Sequence, residues 1–163
     1  MLTRYLALFL GLTLLAACET PPTDGSAAGG AGGSGYGSGS GNYAPGSQED
    51  LANNVGDRVF FATDSSSLSS EAQSMLQRQA NWLQQYPNVN ITVEGHADER
   101  GTRAYNLALG ERRATAARNY LVNLGVSASR VNTVSYGKER PAALGSSEAS
   151  WAQNRRAVTV ISY

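Results

Sequence analysis

The stretch Val93-Glu94-Gly95-His96-Ala97-Asp98-Glu99-Arg100-Gly101-Thr102 joins two segments of different period, and reading it decides the fold. Before it, Val89, Ile91 and Val93 alternate with Asn90, Thr92 and Glu94, the pattern of a half-buried strand. After it, residues 103–124 read as a helix, with Gly125 placed to cap its C-terminus. Helical spacing puts Leu109, Ala116, Tyr120 and Leu124 on the expected buried face. A strand that turns through glycines into a helix presents its polar residues at one edge of the fold, where ligand contacts are commonly built.

Working outward, Asp57 to Phe61 reads as a strand. Ser70 with Gln73 suggests a capping box, opening a helix whose apolar residues Ala72, Met75, Leu76, Ala80 and Leu83 recur at helical spacing. Pro87 stands just past the end of that helix, Val131 to Tyr136 forms a further strand, and Ala157 to Ile161 forms a last one after a linker. The order β-α-β-α-β, then β, predicts an α/β sandwich with helices packed on a sheet.

Chemistry concentrates on Asp98 and Arg113, both expected at the surface. An aspartate grips an ammonium, and an arginine forks onto a carboxylate through two parallel hydrogen bonds. A ligand carrying both groups on one carbon fits such a pair, although solitary surface charges more often make rim ion pairs. His96 is the only histidine and reads as a strand-end residue bonded to the neighbouring loop. No nucleophile or second metal ligand accompanies it by any recognisable spacing. A glycosidase would need two carboxylates facing one bond, whereas the adjacent Asp98 and Glu99 are expected to diverge. An amidase or glycosidase is therefore the disfavoured alternative, and no catalytic residue, metal or cofactor is predicted. Trp151 is expected to pack under a loop. Arg155 and Arg156 are expected in salt bridges within the fold, helping to neutralise carboxylates near the site.

The chain balances 13 basic against 13 acidic side chains over 163 residues, without the cationic excess that nucleic-acid binding needs. Its single cysteine excludes an internal disulfide, so a hydrophobic core must carry the fold. Arg4 and the apolar run from Leu6 to Leu15 suit a signal peptide, and Leu15-Ala16-Ala17-Cys18 resembles a bacterial lipobox. The expectation is a signal peptide over 1–17 and acylation of Cys18, which makes a durable membrane anchor once two or three chains are attached. Gly25 to Gly41 is almost free of large apolar residues. It predicts a flexible, disordered linker, with residues 18–48 as the leash and 49–163 as the folded head.

The segment from Glu94 to Thr102, then Tyr105-Asn106, Leu109-Gly110-Glu111-Arg112-Arg113-Ala114, Val134 to Pro141, and Asn154-Arg155-Arg156 resemble the signature of the peptidoglycan-associated lipoproteins of the OmpA-like domain family. The resemblance covers nearly the whole head, and the anchor and linker agree with that family's layout. It implies the OmpA-like βαβαβ(β) sandwich, with helices on a mixed sheet. It also implies a noncovalent site for the meso-diaminopimelate peptide stem of peptidoglycan. By position, Asp98 would hold the ammonium and Arg113 the carboxylate, Asp64 would close the pocket, and Arg100, Thr102 and Leu109 would line it. Thr63 stands where the family commonly has an aromatic residue. The resemblance further implies TolB and other Tol proteins as partners, a role in outer-membrane integrity and constriction at division, and an outer-membrane, periplasm-facing location.

Overall fold

The computed structural model describes residues 43–162. The predicted signal peptide, the predicted lipidation site Cys18 and most of the predicted linker lie outside the described residues. A turn at Ala44–Ser47 leads into α1 (Gln48–Asp50), where the Ser47 hydroxyl accepts from the Asp50 amide. The helix runs on as a π-helical turn, Leu51–Val55. Then follow β1 (Arg58–Phe60), α2 (Ser70–Gln85), β2 (Asn90–His96), α3 (Arg103–Asn123), a 3₁₀ turn at Ala128–Arg130, β3 (Val131–Gly137), α4 (Glu148–Asn154) and β4 (Arg156–Ser162).

The four strands form one mixed sheet in the order β1-β4-β2-β3. β2 pairs with β3 in parallel, joined through α3, while β4 runs antiparallel to both β1 and β2. The last strand therefore inserts between the first two, which puts Arg155 and Arg156 at the end of the sheet where β1 and β2 finish. The core packs α2 and α3 on the sheet through Leu76, Leu83, Ile91, Val93, Ala114, Leu121 and Val131, all buried. No described helix is long and apolar enough to cross a membrane.

Three expectations are corrected. The cap of α2 is Ser69, whose hydroxyl accepts from the Ala72 amide, while Gln73 Nε2 donates to Leu68 O instead of reaching back to the cap. The buried stripe of α3 is Asn106, Leu109, Gly110, Arg113, Ala114, Ala117 and Leu121; Ala116, Tyr120 and Leu124 are only partly buried. Apolar residues sit on more than one side of this helix, so period alone does not select the face. What selects it is a close approach: a Cβ on Gly95 would collide with the Gly110 carbonyl, and one on Gly110 would collide with Ser135 Oγ. The two glycines let α3 lie backbone against backbone on β2. Finally, the predicted linker before β4 contains α4, capped by Ser147 with Glu148 in its first turn.

Candidate functional site

The site is assembled where β1 and β2 end. At Gly95/His96 the β2–β3 register shifts, and the Ala97 amide bonds to Gly137 O. The loop 97–102 follows. Asp98 Oδ1 accepts from the Arg100 amide at 3.1 Å, closing a short side-chain-to-backbone turn. Gly101 adopts a left-handed φ of 86°, and the Thr102 hydroxyl caps α3 by accepting from the Tyr105 amide. Asn106 Nδ2 donates to Arg100 O, and Lys138 Nζ donates to Glu99 O and Gly101 O. The loop is thus fixed from α3 on one side and from the end of β3 on the other.

Arg113 does not lie at the surface. It is fully buried, stacks its guanidinium 5.2 Å from the Phe61 ring, and donates to three carbonyls: Nε to Ser65 O, Nη1 to His96 O and Nη2 to Ala62 O. The physical reason is that the loop after β1 and the tip of β2 bring three carbonyls together there, of which Ala62 O otherwise accepts only a long bond from the Ser65 amide at 3.3 Å among the described residues. One planar fork of five donors satisfies all three. Burial lowers its pKa to about 10, against the attraction of Asp98 and Asp64, so it remains cationic at neutral pH. Three of its five N–H groups are committed and two remain.

Asp98 is also buried rather than exposed. Its carboxylate receives Arg100 Nε at 3.0 Å and Nη2 at 2.6 Å, with Arg155 Nη1 at 3.5 Å. Burial alone would raise its pKa, but the bonds from Arg100 and then Arg155 outweigh it and hold the carboxyl below its ordinary range. Asp64 is the one non-glycine among the described residues with positive φ, 52°. The carbonyls that Arg113 holds flank it on both sides, so the buried arginine presents the exposed aspartate.

A cleft of ≈ 470 Å³ opens beside these groups, lined by Thr63, Asp64, Arg100, Gly101, Thr102 and Tyr105. Of the six residues expected at a binding site, Asp64, Arg100 and Thr102 line this cleft. Asp98 and Arg113 do not line it but are bonded to what does, Asp98 to Arg100 and Arg113 to the carbonyls on either side of Asp64; Leu109 is buried in the α3 stripe. The sequence reading missed Tyr105 as a wall and α4 as a side of the site. Trp151 packs against the loop 97–102: it stacks against Arg100 and donates Nε1 to Glu99 Oε1 at 3.0 Å. Arg155, expected to neutralise nearby carboxylates, does so for Asp98 and Glu148, and also donates to Phe61 O. The signal for α4 was present as Ser147-Glu148, a cap residue followed by an acid.

His96 departs from expectation. It is 1% exposed, and neither ring nitrogen makes a hydrogen bond of good geometry among the described residues, the backbone contact at Arg140 falling short of one. Its ring lies 5.6 Å from that of Tyr136. Burial, then the charges of Arg156 and Arg140, push its pKa down to about 4, although Glu94 lies 3.6 Å away.

Residues 60–155 match the model of the OmpA family. The chain is 63% identical over 121 residues to the peptidoglycan-associated lipoprotein of Agrobacterium fabrum, covering 74% of this chain and 68% of that one. Against the peptidoglycan-associated lipoprotein of Pseudomonas aeruginosa it is 43% identical over 157 residues, covering 94% and 93%. Among solved structures, it resembles the peptidoglycan-associated lipoprotein from Burkholderia pseudomallei at 46% identity and a TM-score of 0.66, covering 70% of this chain and 98% of that one. The C-terminal domain of Helicobacter pylori MotB aligns at 25% identity and a TM-score of 0.62, covering 66% and 84%. A match over more than half the chain, with relatives aligned along most of their length, agrees with the sheet order and the loop after β2: the chain belongs to the OmpA family, among its peptidoglycan-associated lipoproteins.

Proposed function

We propose that this protein is an outer-membrane lipoprotein, anchored through Cys18, that holds peptidoglycan noncovalently from the periplasmic side. Its ligand is the meso-diaminopimelate end of the stem peptide, with Asp98 receiving the ammonium and Arg113 the carboxylate. Asp64, Arg100 and Thr102 line the approach, and Leu109 backs the site from α3. A leash over residues 18–48 and the head at 49–163 set the reach between membrane and wall. TolB and other Tol proteins are the proposed partners in outer-membrane integrity and constriction at division. The observation that carries the reading is a buried pair of opposite charges beside an open cleft: an ionised Asp98, and an Arg113 with two N–H groups to spare. The names of the relatives support the coarser part of this reading, association with peptidoglycan.

The same geometry favours holding over cutting. Asp98 and Glu99 turn to different partners, Arg100 and Trp151, so they do not face one bond as a glycosidase pair would. Asp98 is held ionised by cations, which suits ion pairing and not proton donation. His96 is sealed from the cleft. Sedimentation with intact sacculi tests the reading: the wild type pellets, Asp98→Asn remains largely in the supernatant, and no soluble muropeptides appear. Unchanged pelleting of the variant would overturn the site, and muropeptide release would overturn binding without cleavage. Labelling with a palmitate analogue, abolished by Cys18→Ala, tests the anchor.

A further inference from the structure

One side chain separates Asp98 from the cleft. Arg100 pairs with Asp98 through two prongs, reaches Thr63 Oγ1 at 3.4 Å, and lies 4.2 Å over the Trp151 ring. It therefore touches the loop after β1, the loop after β2 and α4 together. An ionised carboxylate offers about four acceptor positions. In Asp98 they face the Arg100 amide, Arg100 Nε, Arg100 Nη2 and Arg155 Nη1. An arriving ammonium finds the carboxylate saturated and must displace a donor.

Only one donor is free to leave. The Arg155 side chain is 8% exposed and also held by Glu148 and by Phe61 O. The Arg100 side chain is 39% exposed, and among the described residues its guanidinium has only Asp98 and the long contact to Thr63 as hydrogen-bond partners. Charge sets the condition for its departure. The cations Arg100, Arg113 and Arg155 are balanced by Asp64, Asp98 and Glu148, which act on them directly or through space. A ligand end bearing only an ammonium adds an uncompensated positive charge and leaves the displaced guanidinium without its acid. A ligand carbon that bears both an ammonium and a carboxylate keeps the balance.

We propose that Arg100 is the specificity gate of this site: it gives up Asp98 to a ligand ammonium only when the same carbon brings a carboxylate for Arg113 and the displaced guanidinium to share. The proposal rests on the wall-binding reading and adds to it an ion-pair exchange that rejects stems ending in lysine. Arg100 is then a positioning residue for Asp98 in the free protein and a ligand contact in the bound one.

The experiment is calorimetric titration of the full chain in detergent micelles with L-alanyl-γ-D-glutamyl-meso-diaminopimelate and with its L-lysine counterpart. The wild type is expected to favour the diaminopimelate peptide by roughly 30-fold or more, the scale of an uncompensated charge in a desolvated site. Arg100→Gln keeps a neutral donor and is expected to shrink that preference to under roughly 3-fold, mainly by improving the lysine peptide. In the same variant the Asp98 carboxyl, followed by NMR, should titrate at higher pH than in the wild type. A variant that folds and keeps the wild-type ratio, or weakens both peptides equally, overturns the gate while the binding site stands. An unmoved Asp98 carboxyl also overturns it. A wild type that binds neither peptide overturns the site assignment itself, and the gate with it.

Discussion

Asp50 and Asp98 are buried almost equally, 8% and 7% exposed, and both are held below the ordinary carboxylate range, yet they are satisfied in opposite ways. Asp50 accepts from the Gly46 amide, Asn54 Nδ2 and the Trp82 indole at 2.8–2.9 Å, all neutral donors built into the fold. Beside it Gln79, fully buried, donates to Gly56 O and accepts from Thr159 Oγ1, while Gln48 ties α1 to β4 by accepting from the Ile161 amide. Asp98 is satisfied by guanidinium groups, one of which reaches solvent. A buried acid ringed by neutral donors locks a segment in place, because no solvent-borne group can replace those donors. A buried acid closed by an exposed cation holds a charge that a ligand can take over. The first arrangement is structural, and the second leaves room for function.

Breaking the frame beneath Asp98 should have the largest effect. Arg113→Met removes the donor to three carbonyls, those of Ala62, Ser65 and the buried His96, and losing one side of a buried charged network costs about 3–5 kcal/mol. Denaturant unfolding should show that loss, and a change below about 1 kcal/mol would mean that the loop carbonyls find other donors. A loss of wall binding in this variant therefore reports on folding first. The expectation from sequence, that Arg113 lies at the surface, does not hold for a residue this buried.

Protonation of His96 comes next and tests the same end of the sheet. The group has a folded pKa of about 4 and an unfolded value near 6.5, so between these pH values the unfolded chain binds the proton and the folded chain does not. Stability should fall as pH drops from about 6.5 to about 4, by about 3 kcal/mol in all, and then level for this group. Asp50 and Asp98 lose their contributions only at lower pH, as their depressed carboxyls protonate. Unfolding curves for His96→Leu should lack the slope in the upper window, and an unchanged slope would move its origin to another group.

Asp50→Ala should cost about 2–3 kcal/mol, because it leaves the buried Trp82 indole without an acceptor. Binding to sacculi, measured per folded molecule, should stay at the wild-type level. A clear loss of binding would mean that the two aspartates are coupled across the sheet and that the contrast between them is too sharp.

The strands, the two long helices and the loop after β2 were legible in sequence because each depends on local period and turn chemistry. Ile91 and Val93 alternate as a half-buried strand must, and Gly101 sits where a left-handed turn is required. The face of α3 was not legible, because it follows from Gly95 and Gly110 meeting across the sheet and from Arg113 collecting carbonyls of residues 48 and 51 positions away. The charges of the site were legible as types and positions. Their burial was not, since nothing in the order of residues says that β4 inserts between β1 and β2 and brings Arg155 to Asp98. The seven-residue α4 was hidden by its length, with only one cap and one acid to mark it.

The smallest stability effect belongs to Asp98→Asn, and it separates the two aspartates most cleanly. The substitution keeps the shape and one acceptor oxygen. Arg155 retains Glu148 and Phe61 O, and Arg100 can turn toward solvent. With the amide oxygen turned to Arg155 Nη1, that buried donor keeps its acceptor, unlike the Trp82 indole in Asp50→Ala, so the expected cost is only about 1 kcal/mol. Sacculus binding should nevertheless collapse, because the amide offers no charge to an ammonium. Unfolding and sedimentation on the same preparation would place the two variants at opposite corners: Asp50→Ala less stable but still binding, Asp98→Asn stable but not binding. If Asp98→Asn instead destabilised the fold as much as Asp50→Ala, Arg100 would be a fixed structural partner, and the exposed guanidinium would be no more replaceable than the indole.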